Sequence, residues 1–182
     1  MAGGAPESVM TGEVLAVRCS RLPASLCVSM EANPDRKQLI FSKLDPLHGR
    51  GSELARFDSE DSTAGYEWTL SPDGTRIALA KQFDESIRLI PLNGQSRRVI
   101  QVKGWNHFRH IIFDAEGEGL FASHPSRRGA VLLHINLDGR AKVLWEVAGY
   151  NVNLRAIPSP DGRRLALRAS LVEDNVWMME NF

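Results

Sequence analysis

The sequence predicts an all-β fold, a β-propeller of about four blades of four-stranded antiparallel sheet, the last blade lacking its outer strand. Three observations carry this expectation. A turn phrase recurs as Ser71-Pro72-Asp73-Gly74 and Ser159-Pro160-Asp161-Gly162, with a worn copy at Asp114-Ala115-Glu116-Gly117. Each copy leads into strand-like alternation: Ile77 and Leu79 share one face, as do Leu165 and Leu167. The turn glycines stand at 74, 117 and 162, steps of 43 and 45 residues, which is the length of one blade.

The turn chemistry accounts for the recurrence. Proline presets φ for the first corner, and aspartate can bond the backbone two residues on. Glycine then takes the positive-φ corner that matches hairpin twist to strand twist. In the second blade, Ile87 to Leu92 reads as the third strand, Asn93-Gly94 as a hairpin turn and Arg98 to Val102 as the fourth strand. Pro91 has no N–H for a ladder, so that position is expected to be unpaired or bulged. The third blade repeats the plan with Ala130 to Ile135, the turn Asp138-Gly139 and Lys142 to Val147. An earlier blade fits Glu13 to Cys19, Leu26 to Met30, Gln38 to Lys43 and Glu53 to Phe57, resting on periodicity alone.

The final blade offers Ala156 to Ser159, Arg164 to Ala169 and Asn175 to Met179, and no fourth strand. The expected organisation is a flexible segment over 1–12 and propeller repeats over 13–182, with blades at about 13–58, 66–102, 107–147 and 153–182. An open sheet edge invites pairing with another chain. The chain is therefore expected to be part of a larger propeller, or to self-associate through open blade edges.

The two turn phrases with their followers, Thr75-Arg76-Ile77-Ala78 and Arg163-Arg164-Leu165-Ala166, resemble TolB-like propellers built from WD40-like β-propeller repeats. The ending Asn175-Val176-Trp177-Met178-Met179 is similar to that family's third strand. The resemblance runs from about Tyr66 to Phe182 and extends back to Glu13. The sequence is also similar to propeller regions that follow bacterial serine/threonine kinase or winged-helix regulatory domains, although no kinase glycine loop or catalytic-loop motif occurs in it. The resemblance implies protein or small-ligand binding, and supplies no common set of catalytic residues.

Composition agrees with an ordinary globular chain: 182 residues, 43% hydrophobic and 24% charged. Lys plus Arg and Asp plus Glu are both 22, so the formal net charge is zero, which argues against nucleic-acid binding through phosphate neutralisation. No run approaches the roughly 20 apolar residues of a membrane helix. Met1 to Thr11 lacks the charged start and apolar run of a signal peptide, so a cytoplasmic location is the default, or an extracytoplasmic one within a longer exported protein.

Candidate chemistry is sparse. Cys19 and Cys27 are too far apart for a zinc motif; they could form a disulfide across a hairpin, or remain two buried thiols in neighbouring strands. His107 and His110, placed on an inner strand, would point to opposite faces, and His48, His124 and His134 have no neighbour at a ligating spacing. There is no Gly-x-Ser-x-Gly elbow; Gly51-Ser52 reads as strand entry, and Asp73, Asp138 and Asp161 are explained by turns. The expectation is a non-catalytic binding or scaffold module with no metal and no cofactor, recognising a protein or small ligand. The alternatives are an accessory domain of a hydrolase or peptidase, and a truncated propeller without activity of its own.

The candidate binding residues lie in segments that lead into each inner strand. Gly104-Trp105-Asn106 and Gly149-Tyr150-Asn151 both stand 13 residues before their turn glycines, and Gly65-Tyr66-Glu67-Trp68 is the second blade's version. Tyr66, Glu67, Trp68, Trp105, Asn106, Tyr150 and Asn151 should then gather at the mouth of a central channel. Rigid rings beside polar groups suit recognition. The same rings could instead wedge between blades as packing.

Overall fold

The structure is a computed structural model and describes residues 14–59 and 65–170. Every regular element among these residues is a strand. The first sheet runs β1 (Val14–Cys19), β2 (Cys27–Ala32), β3 (Gln38–Asp45) and β4 (Gly49–Asp58). The second runs β5 (Tyr66–Leu70), β6 (Arg76–Lys81), β7 (Ser86–Pro91) and β8 (Arg98–Gln101). The third runs β9 (His110–Phe113), β10 (Gly119–Ser126), β11 (Gly129–Asn136) and β12 (Ala141–Ala148). The fourth begins with β13 (Asn153–Pro158) and β14 (Leu165–Ser170). Each sheet is an antiparallel meander in sequence order.

The recurring turn sets the register of each inner hairpin. The Ser71 hydroxyl accepts from the amides of Thr75 and Arg76, at 3.2 and 2.9 Å, and donates to Asp73. Gly74, at φ 71°, donates its amide to the Ser71 carbonyl at 2.9 Å. Ser159 does the same work at its copy, accepting from Arg164 at 2.9 Å, with Gly162 at φ 69°. In the worn copy Asp114 replaces the serine and its carboxylate accepts from the Glu118 amide at 3.0 Å. The cross-strand pairs Glu67–Ala80, His110–Ser123 and Arg155–Arg168 therefore occupy the same place in three successive sheets.

The sheets stack face to face through three apolar clusters. Strand β6 shows how the alternation works. Ile77 and Leu79 point at the first sheet, against Val28, Met30 and Phe41, with Trp68 of β5 in the same cluster. Ala78 and Ala80 point at the third, against Phe108, Ile111, Phe113 and Leu120. A smaller cluster joins Ala130 and Leu132 of the third sheet to Val152, Leu154 and Ala156 of the fourth. The first strands of the sheets are neighbours in turn, β1 beside β5, β5 beside β9 and β9 beside β13. Radial sheets with adjacent first strands around an axis are a β-propeller, and those first strands line its channel.

Several local expectations are adjusted. For Pro91, one of the two expected outcomes holds: it is unpaired on its β8 side and not bulged. Leu92 donates to the Thr75 carbonyl at 2.8 Å, so the nitrogen of Pro91 faces the β8 side, and β8 pairs with β7 only as far as Leu89. His107 precedes the inner strand, which starts at His110. Gly51-Ser52 lies inside β4 rather than at its start. The fourth sheet's inner strand starts at Asn153, three residues before the expected Ala156. Cys19 and Cys27 face each other across β1 and β2 and form a disulfide, which decides between the two readings of that pair. The expected flexible segment over 1–12 and the strand at Asn175 to Met179 lie outside the described residues.

Candidate functional site

Strand pairing carries one residue of each of three inner strands to the same height in the channel wall. Glu67 of β5, His110 of β9 and Arg155 of β13 each stand seven residues before their turn glycine. Their sequence neighbours Trp68, Ile111 and Ala156 point the other way, into the clusters between sheets. The first sheet contributes Arg18, from β1, whose guanidinium carbon lies 5.7 Å from the centre of the Trp68 ring.

Arg18, Glu67 and Arg155 open onto a cavity of about 390 Å3, and His110 is not part of its lining. Leu15, Ala16 and Arg18 of β1, Met30, Ala32 and Leu39 of the first sheet, Tyr66, Glu67 and Trp68 of β5, and Arg155 of β13 line it. A smaller hollow of about 100 Å3 continues toward the turn end of the channel, lined by Thr69, Pro72 and Ile112, and Arg18 borders both. Arg21 spans the channel there: its guanidinium donates to the carbonyls of Pro158 and Ser159 at 2.9 and 3.2 Å, tying the first sheet to the fourth.

The electrostatics of the cavity are uneven. Burial pushes the Glu67 carboxyl up to about 7, against the pull of Arg18 and Arg155, which favour its charged form. Burial likewise lowers His110; its ring nitrogen lies 3.3 Å from the Ala156 carbonyl, and Arg155 and Arg18 disfavour a further positive charge. The indole N–H of Trp68 is buried without an acceptor among the described residues. Tyr66 is held edge-on to Phe57 at 6.0 Å, and its oxygen accepts from Ser59 at 3.3 Å. Donors thus outnumber acceptors on this wall, and aliphatic and aromatic side chains line the remainder.

The structure divides the seven residues singled out from the sequence among three places. Tyr66, Glu67 and Trp68 line the channel cavity, although Trp68 is only 1% exposed and packs edge-on to Phe41 at 5.3 Å. Trp105 wedges against the core between the second and third sheets, edge-on to His124 at 5.1 Å, and Asn106 is exposed. Tyr150 is exposed, and Asn151 accepts from Arg109 at 3.0 Å beside a separate surface hollow. The three segments do not gather at one mouth. Arg18, His110 and Arg155 were missed because each looks like an ordinary strand residue. For His110 and Arg155 the signal is the distance to the turn glycine, which also marks Glu67; Arg18, in the blade without that turn, has none.

Among the described residues no group of three His, Cys, Asp or Glu side chains converges on a point, and no helix is long and apolar enough to cross a membrane. No family model and no curated protein matches the chain. Among solved structures it is similar to hydrazine synthase of Kuenenia stuttgartiensis, a propeller-containing protein, with a TM-score of 0.55 and 17% identity over 90% of this chain. The match spans 46% of that protein's chain, a little under half its length. At that identity the likeness shows the propeller fold and carries nothing about chemistry.

Proposed function

We propose that this chain is a non-catalytic propeller module that captures a small ligand, or a side chain of a protein partner, in the channel cavity. The observation that carries the reading is the convergence of Arg18, Glu67 and Arg155, from three sheets, on one cavity with an aromatic and aliphatic wall. A concave site with a few polar groups among apolar ones is the usual form of a ligand pocket. The Ser-Pro-Asp-Gly turns resemble those of TolB-like, WD40-like repeats, a resemblance that supports binding over catalysis. The lack of a nucleophile elbow in the sequence points the same way.

The test is a ligand screen read by thermal shift, repeated on Ala32→Trp, which fills the cavity at the edge of the first sheet. Ligands of the site should stabilise the parent protein and lose their effect on the variant, provided the variant keeps a cooperative melt. Hits that stabilise both proteins equally would place binding elsewhere. Turnover of ester, peptide or lactone substrates by the purified protein would overturn the non-catalytic part.

A further inference from the structure

We propose that the cavity takes a small organic acid, its anionic head between Arg18 and Arg155 and its apolar body against Met30, Leu39, Tyr66 and Trp68, and that Glu67 takes up a proton as the acid binds. The proposal rests on the reading of the channel cavity as the binding site. Charge points to an anion: Arg18, Arg36 and Arg155 line the space against a single carboxylate, Glu67. Hydrogen-bond capacity points the same way, because the guanidinium groups of Arg18 and Arg155 present donors to the space and a carboxylate head supplies acceptors. The apolar lining excludes a bare inorganic anion as the best fit, since it would leave Met30, Leu39 and Leu15 against water.

The proton coupling follows from where Glu67 sits. Arg18 faces it from β1 and Arg155 from β13, and Ala80, opposite it on β6, is uncharged. His110, the group at the same height on β9, has its charged form disfavoured by burial and by the same two arginines. Lys81 ends β6 one residue further on, opposite Tyr66, and Arg36 lines the cavity from the loop after β2. Glu67 is therefore the only acid facing the cavity among the described residues. With its carboxyl near 7, an ionised and a neutral form coexist around neutral pH. A second negative charge placed between the same arginines repels the ionised form, so bound acid and protonated Glu67 favour each other. Affinity falls as the pH rises through about 7, by as much as about tenfold between about pH 6 and about pH 8 if only the protonated form binds.

Isothermal titration calorimetry of the intact chain tests this with phenylacetate and hexanoate as acids, phenylacetamide and hexanamide as neutral matches, and benzylamine as a cation. Measurements at the two pH values, in buffers of different ionisation enthalpy, report the protons taken up. The acids should bind more tightly at the lower pH with net proton uptake, and the amides and the amine should bind far more weakly. Glu67→Gln should abolish both the pH dependence and the uptake, so that acid affinity is the same at the two pH values; His110→Gln should leave both in place. Equal binding of acids and amides, or a preference for benzylamine, would overturn the ligand class yet leave the cavity reading standing. Acid binding with the same pH dependence in Glu67→Gln would overturn the coupling alone. No binding of any probe, with Ala32→Trp melting like the parent in every mixture, would count against the cavity itself.

Discussion

Glu67 is held with its carboxyl at about 7 in the folded protein, against 4.5 for an unperturbed glutamate, and burial is the main cause. Between those two values the folded protein binds more protons at this site than the unfolded chain does, so stability must fall as the pH rises across that window. The full gap corresponds to a loss on the order of 3 kcal/mol. Glu67 is partly open to the cavity, and solvent screening there brings the expected loss closer to about 2 kcal/mol. Glutamine keeps the shape of the side chain and removes the ionisation. Urea unfolding of the parent and of Glu67→Gln should give similar stabilities near about pH 5, and a variant more stable by about 2 kcal/mol near about pH 8. Other titrating groups contribute equally to both proteins and cancel in the difference. A gap between the two that is the same at both pH values would refute the placement of this carboxyl in a poorly solvated wall.

Three further outcomes follow from named contacts. Ser71→Ala should cost about 1–3 kcal/mol in denaturant unfolding, because Ser71 is fully buried and its hydroxyl serves two amides, whereas Ser159→Ala, at an exposed copy of the same turn, should cost under about 1 kcal/mol. Gly139 lies at φ 90° in the β11–β12 turn, and a methyl group there would sit 2.0 Å from the Gln101 carbonyl of the second sheet. Gly139→Ala should lower Tm by several degrees, and a melt within a degree of the parent would contradict the close approach of those two sheets. Arg21→Ala removes the two hydrogen bonds that tie the first sheet to the end of β13. Amide exchange should quicken about tenfold in β13 and β14 while β6 and β7 stay protected; uniform acceleration would mean that Arg21 acts on global stability instead.

Much of the fold was legible because its signals are local. A Ser-Pro-Asp-Gly phrase carries its own hydrogen bonds within six residues, as Ser71 shows, so it reads the same in the chain and in the fold. Asp114 explains why the worn copy still works: its carboxylate replaces the serine hydroxyl as the acceptor at the turn. Strand ends were less legible. Pro91 was expected to be unpaired or bulged and is unpaired; which of the two holds depends on where β8 stops, which β7 does not encode.

The candidate site divides along the same line. Tyr66, Glu67 and Trp68 stood out as a polar group among rings, but rings alone could not separate a cavity wall from a wedge between sheets. Trp68 proves to be both, while Trp105 wedges between sheets and borders a separate hollow away from the channel cavity. Arg18 had no signal in its own segment and Arg155 only its distance to Gly162; their meaning comes from facing Glu67.

By itself, then, the sequence determined the blade period, the turn that recurs with it and the alternation that sends Ile77 one way and Ala78 the other, since each depends on residues a few positions apart. Only the tertiary structure decided that Cys19 reaches Cys27, that Arg21 crosses to the fourth sheet and that Arg18, Glu67 and Arg155 share one cavity. The disulfide depended on the register of β1 against β2, and the other two on curling the sheets around an axis. That curl is set by how the apolar faces between them pack. The charge of Glu67 belongs to this second group as well, because burial, which no residue carries in its identity, moved it to about 7.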